Sequence, residues 1–363
     1  MTSTSRVNKF IIVAITIVFL FVYILPYTFT YSNPYTKKVK DSIIRGIDFL
    51  ESEQTSSGGF YMHALGINGT ATGIDHVSPL AVAYVLYSIK DIPARYLSPQ
   101  MINKSLQFLI ARQENGKWRY FDLKTIQNKN VVYLPPDLDV SSASLIAYYT
   151  YGLPFNASSA RNLLEHKDAS GLIYTYLGHE DAKVYENTDC VINLNAIYLF
   201  SLLGQEDAVK DSCNTIVRYG LNTTCSMYYK QDEYVYYYLM SRVLGSGKAA
   251  CMEPMRKPIE NELIKTQKSD GSWGKNVFDT CLSVNSLYNL RKIDSKEIER
   301  SLLFVLNMQN EDGSWPVGQL GESGSYNPAD RHDIPTFYWG SKAVTTAICL
   351  EVLGKYLNYY ESG

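Results

Sequence analysis

A chain of 363 residues with 46% apolar and 19% charged residues has material for one large core or two modest domains, and its composition is not that of a disordered protein. Lys and Arg number 34 against 36 Asp and Glu, a net charge of −2, and no basic block follows the N-terminus, which argues against nucleic acid as a partner. Tyrosine is abundant, at 30 residues; its apolar ring with a polar tip suits a wet cavity or a glycan surface as well as ordinary packing.

Residues 1–9 form a short polar tail. Residues 10–31, from Phe10 to Tyr31, carry no charge and consist mostly of Ile, Val, Leu and Phe. As a helix they would extend roughly 33 Å, enough to cross a bilayer core. The run is long for a cleaved signal peptide and lacks an A-x-A-like site, so it is expected to be an uncleaved single-pass anchor. The short tail before it places the remaining chain on the extracytoplasmic side. Sequons at Asn68, Asn103, Asn156 and Asn222 add little, since such triplets arise by chance.

Beyond residue 35 two kinds of apolar run alternate. Amphipathic runs near 38–53, 99–113, 158–166, 206–218, 256–267 and 294–309 predict outer helices. Each is followed by a run with a polar start and a small, apolar body, beginning near Ser78, Val140, Asp189, Asp232, Asp279 and Trp339. These predict six inner helices. No alternation is long enough to predict a sheet. Six cysteines, Cys190, Cys213, Cys225, Cys251, Cys281 and Cys349, permit disulfides, with Cys213 and Cys225 the nearest pair; buried free thiols in helices suit most of them better.

Four of the outer runs end alike. An apolar residue, three others, a Gln, a Gly-containing loop and an aromatic residue occur at Leu50–Gln54–Phe60, Leu109–Gln113–Trp118, Leu263–Gln267–Trp273 and Val305–Gln309–Trp315. The Gln is expected to bond backbone groups left open at its own helix end, Gly to supply the left-handed stop, and the ring to pack back over both. Repetition at roughly 45 to 60 residues points to an all-α repeat architecture. Six hairpins suggest a closed ring.

The Q-x-x-D-G-S-W segments at Gln267–Trp273 and Gln309–Trp315 resemble the QW motif of the squalene-cyclase and prenyltransferase repeat family. The resemblance covers about residues 36–359 and implies an α6–α6 toroid, here preceded by one transmembrane helix. It implies a site where the inner-helix N-termini gather, with dipoles that favour anions.

Asp137-Leu138-Asp139-Val140 resembles the D-x-D-D acid motif of class II terpene cyclases, in which the middle Asp protonates an alkene or epoxide. The resemblance makes Asp139 the catalytic acid and Asp137 its neighbour, with Val140 where the last Asp would stand. That family places its cavity between two helical domains, so a second helical domain or subunit is left open. Asp189, Asn193, Asp279, Tyr338, Trp339 and Lys342 complete the expected substrate-binding set. Asp279-Thr280-Cys281 is similar to half of a prenyltransferase zinc site, but Trp339 stands where that family has its His; no metal and no cofactor are expected. The expected function is that of a terpene-cyclase-like or prenyl-lipid-binding toroid acting at the membrane on an apolar isoprenoid. The alternative is a non-catalytic or carbohydrate-directed toroid, with Tyr228, Tyr229, Tyr234, Tyr236, Tyr237 and Tyr238 lining a cleft or packing the barrel wall.

Overall fold

The computed structural model describes residues 35–66, 69–121, 134–177, 187–229, 232–293, 295–324 and 335–361. The chain divides into a unit of residues 1–38 and one of residues 39–363. The expected anchor at 10–31 lies outside the described residues. Among the described residues no helix is long and apolar enough to cross a membrane. A typical inner helix has 13 residues and spans roughly 20 Å, short of the ~30 Å of a bilayer core. The single-pass membrane assignment is corrected accordingly.

Eleven helices of ten or more residues are described. The outer ones are α1 (Thr36–Glu53), α3 (Pro99–Ile110), α6 (Lys210–Tyr219), α8 (Arg256–Thr266) and α10 (Lys296–Asn307). The inner ones are α2 (Pro79–Ile89), α4 (Leu138–Thr150), α5 (Cys190–Leu202), α7 (Glu233–Ser246), α9 (Val277–Asn289) and α11 (Lys342–Glu361). The third outer position holds only the turns Ala157–Ala160 and Arg161–Leu164. Several starts follow local chemistry: Ser78 and Ser98 each cap a helix whose first residue is Pro, and Ser295 caps α10 through the Ile298 amide. Every residue of α2 is buried, as is Cys190–Ser201 of α5, so these helices are stable only inside a ring of neighbours. Each inner helix packs on the next, and α11 packs on α2, which closes the ring.

The Gln–aromatic loops are the joints of that ring, though the two side chains divide the work differently from the expectation. The indole N–H of Trp118, Trp273 and Trp315 satisfies the helix-end carbonyls of Leu109, Leu263 and Val305 at 2.7–2.8 Å. The Gln instead reaches the next outer helix. Gln54 donates to Met101 O and Ser105 Oγ, Gln267 to Glu297 O and Ser301 Oγ, and Gln309 to Ser42 O, thus stapling the last outer helix to the first. Gly58, Gly271 and Gly313 adopt φ of +86 to +90° and lie against the carbonyls of Lys104, Arg300 and Arg45, where a Cβ would collide. The third unit, which lacks the motif, repeats the turn with Asp168, Ser170 and Gly171, and Ser212 Oγ of α6 donates to Gly171 O. No side-chain bond from Gln113 to an outer helix is seen among the described residues, consistent with the shortened third position.

Two expectations are overturned. A four-stranded antiparallel sheet is present, in the order β2-β1-β4-β3, formed by β1 (Tyr61–Leu65), β2 (Ala71–Val77), β3 (Gln319–Gly324) and β4 (Pro335–Gly340). These are the outer-to-inner connections of the first and last units, which closure brings together; Ala64 pairs with Trp339 and Leu65 with Tyr338. Trp339 therefore lies in β4, and the last inner helix starts at Lys342. The strands are short and lack alternation, and their pairing is non-local, so no local pattern announces them. The cysteines are also not free: Cys190–Cys225, Cys213–Cys251 and Cys281–Cys349 are disulfides, and the sequence-nearest pair is not bonded. Cys213–Cys251 links α6 to the turn leading into α8, a joint without a Gln–Trp loop. A cross-link closing 35 to 68 residues restricts the unfolded chain by about 4 kcal/mol in the chain-entropy account.

Replacing Gln309 with Ala leaves Ser42 O and Gly313 O without their side-chain donor and is expected to cost about 1–3 kcal/mol, read as a lower urea midpoint at unchanged slope. Thiol titration of the unfolded, unreduced protein is expected to find no free thiol; six reactive thiols would contradict the pairing.

Candidate active site at the inner-helix N-termini

The parallel inner helices bring their N-termini to one mouth. The acid segment enters there in extended form: Asp137 N donates to Trp118 O, Leu138 N to Thr175 O, and Leu177 N to Pro136 O. Asp137 is the N-cap of α4, its Oδ1 accepting from Val140 N at 2.8 Å. Its Oδ2 is buried without a hydrogen-bond partner among the described residues. Burial pushes its pKa well above the usual carboxylate range; the Val140 amide opposes this and the Asp139 charge adds to it. Asp137 thus caps the helix and is also destabilised as an anion.

Asp139 caps nothing. It sits in the first turn of α4, 6% exposed, among side chains of the barrel interior. Asn195 Nδ2 donates to its Oδ1 at 2.6 Å and Tyr229 Oη to its Oδ2 at 2.8 Å. Burial raises its pKa to about 6, with both hydrogen bonds opposing that rise. Val140, where the resemblance expects a third carboxylate, is fully buried, and Asn195 and Tyr229 supply polar partners in its place.

Asp189 acts one step behind. Fully buried, it caps α5 through Val191 N and Ile192 N, while its Oδ2 accepts from Ser226 Oγ, Met227 N and Tyr228 N. Ser226 Oγ accepts from Tyr229 N, and the Cys190–Cys225 disulfide ties the same loop to α5. Together these fix the segment that delivers the Tyr229 hydroxyl to Asp139. On the sheet side, the rings of His76, Tyr120 and Phe121 pack on Trp339 at 5.0–5.8 Å between centroids, and Phe337 joins at 5.1 Å. Tyr120 also lies in the field of both carboxylates: burial raises its pKa, and Asp137 and Asp139 raise it further.

The other expected residues have separate places. Asn193 bonds Ile173 N, Ile173 O and Asp189 O, tying the third unit's loop to α5. Asn195 lies two residues on, roughly 200° around the helix, and so faces the interior. Asp279 accepts from Lys275 N beside Gly274, and Cys281 is bonded to Cys349, so the D-x-C pair is not a free ligand pair. Lys342 pairs with Asp312 at 2.7 Å in the last unit's Gln–Trp loop. Tyr338 is buried beside Glu322 and Asp232. Two cavities are described. One of about 500 Å³ lies between α3, α4 and residues 153–160; one of about 120 Å³ lies at the starts of α7 and α9. Neither is lined by Asp137 or Asp139.

Tyr229 and Asn195, which bond Asp139, and Arg242, whose Nη1 donates to Asn195 Oδ1, are further candidate residues that no motif marks. The signal for Arg242 was present: a cation in the otherwise apolar and aromatic stretch Tyr234–Leu244 is out of place unless it has an interior partner.

No protein-family model matches the sequence, and no functionally curated relative is found by sequence. Solved structures do match. The type II terpene cyclase MstE from Scytonema superposes with a TM-score of 0.68 at 16% identity, over 89% of this chain and 98% of that one. Its complex with geranylgeranyl dihydroxybenzoate, the substrate, gives the same score. An ent-copalyl diphosphate synthase from Streptomyces platensis matches at 0.55 and 16% identity, over 77% of this chain and 50% of that one. An unsaturated glucuronyl hydrolase specific for heparin matches at 0.53 and 12% identity, over 90% and 97%. The chain thus has a terpenoid-cyclase-like α/α toroid.

Because the folded pKa of Asp139 lies above its unfolded value, the protonated form is favoured by folding. That contribution is present at low pH and is lost as pH rises through about 6. At pH 8, Asp139→Asn is expected to melt no lower than the parent, with a gain of up to about 3 kcal/mol that closes below pH 6. A variant that melts lower at every pH would show Asp139 to be a stabilising anion.

Proposed function

We propose that this toroid is a class II terpene-cyclase-like enzyme acting on an apolar isoprenoid, with Asp139 as proton donor. The observation that carries the reading is a carboxyl buried in the barrel mouth, held by Asn195 and Tyr229, with its pKa raised to about 6. Such a group carries its proton over part of the neutral range yet is acidic enough to give it up. The likeness to MstE, solved with its geranylgeranyl substrate and with merosterolic acid A, its product, supports the substrate class.

In this reading the Asp139 O–H proton passes to the terminal alkene carbon, or to the oxygen of a terminal epoxide. A carbocation forms, and internal double bonds attack it in turn. Trp339, Tyr120, Phe121 and Phe337 offer π faces that stabilise the cation without trapping it as a nucleophile would. Loss of a proton from the last cation restores neutrality. Asp137, short of a partner at Oδ2 and beside Asp139, disfavours a second negative charge there and so keeps the pair partly protonated. Asp189 positions Tyr229. Asn193 and Lys342 serve the ring joints.

A second reading, a carbohydrate-directed toroid, draws on the hydrolase likeness and the paired carboxylates, at lower structural similarity.

Incubation with geranylgeraniol, its terminal epoxide or geranylgeranyl dihydroxybenzoate is expected to give an isomeric cyclic product. Asp139→Asn should lower turnover at least 10³-fold without lowering the melting temperature, and kcat should fall as pH rises through about 6. Cleavage of an unsaturated glucuronide with none of the isoprenoids turned over would favour the second reading.

A further inference from the structure

Beneath Asp139 the barrel holds a buried cation that the mechanism above does not use. Arg242, on α7, is 4% exposed. Its Nη1 donates to Asn195 Oδ1 at 3.3 Å, and its Nε has no hydrogen-bond partner among the described residues. The guanidinium lies over the rings of Tyr87 at 3.8 Å, Tyr198 at 4.6 Å and Tyr238 at 5.6 Å. Tyr87 and Tyr198 also share a hydroxyl contact of 3.2 Å, so side chains from α2, α5 and α7 meet here.

A buried guanidinium is costly unless an anion answers it, and aromatic faces offset only part of that cost. Two carboxylates are candidates. Glu351 accepts from Tyr238 Oη at 2.8 Å but is paired directly with Lys355 Nζ at 2.6 Å. Its charge is already answered. That leaves Asp139, joined to Arg242 through one residue. The Asn195 amide is oriented to suit both ends: its oxygen faces the cation and its Nδ2 faces the carboxylate and Tyr84 Oη. Reversing the amide would set N–H groups against N–H groups at one end and oxygen against oxygen at the other.

We propose that Arg242 is the positioning residue of the acid: through Asn195 it holds Asp139 in place and supplies its counter-charge. The kinetic part of this inference rests on Asp139 being the proton donor; the structural part does not. Arg242 reaches Asp139 only through Asn195. Its charge adds to the Tyr229 and Asn195 hydrogen bonds in making Asp139 a stronger acid than burial alone would allow. The other groups facing Asp139 act differently. Asp137 on its own element, Asp189 at the start of α5 and the neutral hydroxyls of Tyr84, Tyr120 and Tyr229 supply no positive charge, which leaves Arg242 as the cation of this surround among the described residues.

The test follows the protonation of Asp139 without any substrate. Melting temperature is recorded against pH for the full chain and its Asp139→Asn variant, each with Arg242, Arg242→Lys or Arg242→Met. The gap between the curves with and without the Asp139→Asn change opens above the unfolded carboxyl pKa and stops widening at the folded one, so the pH at which it levels off reports the acid. That pH is expected near 6 with Arg242 and with Arg242→Lys, and at least one pH unit higher, with a wider final gap, with Arg242→Met. An unchanged levelling-off pH in Arg242→Met overturns the proposal, whatever the activity of the protein. Arg242→Gln, which keeps a donor for Asn195 but no charge, carries the same comparison if the Met variant does not fold. It should behave as Met does; behaviour like the parent would overturn the counter-charge. Where turnover is measured, Arg242→Met should lower kcat about tenfold or more at little change in KM and shift its pH limb upward. An intact shift with no isoprenoid turnover in the parent would reject the cyclase reading and keep the pairing.

Discussion

The inner helices are apolar on nearly every face, and none is stable with a side open to water, so the ring must close. Closure requires the first and last units to meet. The chain meets that need at three levels: α11 packs on α2, β1 pairs with β4, and Gln309 staples the last outer helix to the carbonyl of Ser42. Once closed, the ring has parallel inner helices, so six N-termini and their connections share one mouth. The acid segment, the Tyr229 loop and the aromatic strand β4 become neighbours although they lie far apart in sequence.

The interior that results is polar along a line. From the mouth inward, Asp139, Asn195, Arg242, Tyr238, Glu351 and Lys355 succeed one another on α4, α5, α7 and α11, with Asn195 and Tyr238 as neutral bridges and Glu351 paired directly with Lys355. Each buried charge is costly alone, and the sequence of partners offsets that cost. The offset is incomplete at the mouth, where burial keeps Asp137 and Asp139 above the normal carboxylate range. Groups held away from their preferred ionisation state are a common sign of a working site, because stability alone would replace them.

Much of the fold was legible because its joints are local. Gln267 to Trp273 and Gln309 to Trp315 are short segments whose spacing reports both a helix end and the next unit. The third unit was harder: Asp168, Ser170 and Gly171 build the same turn with different residues, and its outer helix is reduced to two turns. The sheet was invisible, since β1 and β4 are separated by nearly the whole chain and owe their pairing to closure. The disulfides leave no local signal for the same reason. Cys281 and Cys349 stand 68 residues apart, on helices that become neighbours only in the ring. In the site, the acid pair was marked by its motif, whereas Asn195 and Asn193 could be told apart only by helix phase. Tyr229 was hidden among tyrosines, and its role depends on Asp189 and the Cys190–Cys225 bond behind it.

If a proton from Asp139 starts the chemistry on an alkene, the product must carry that proton on carbon. Turnover of an alkene substrate in deuterium oxide, with the product analysed by mass spectrometry, reads this out. One non-exchangeable deuterium per product molecule is expected, at the carbon of the protonated alkene, with no such product formed by the Asp139→Asn variant. A product without deuterium, or equal turnover by the variant, would contradict the role of Asp139.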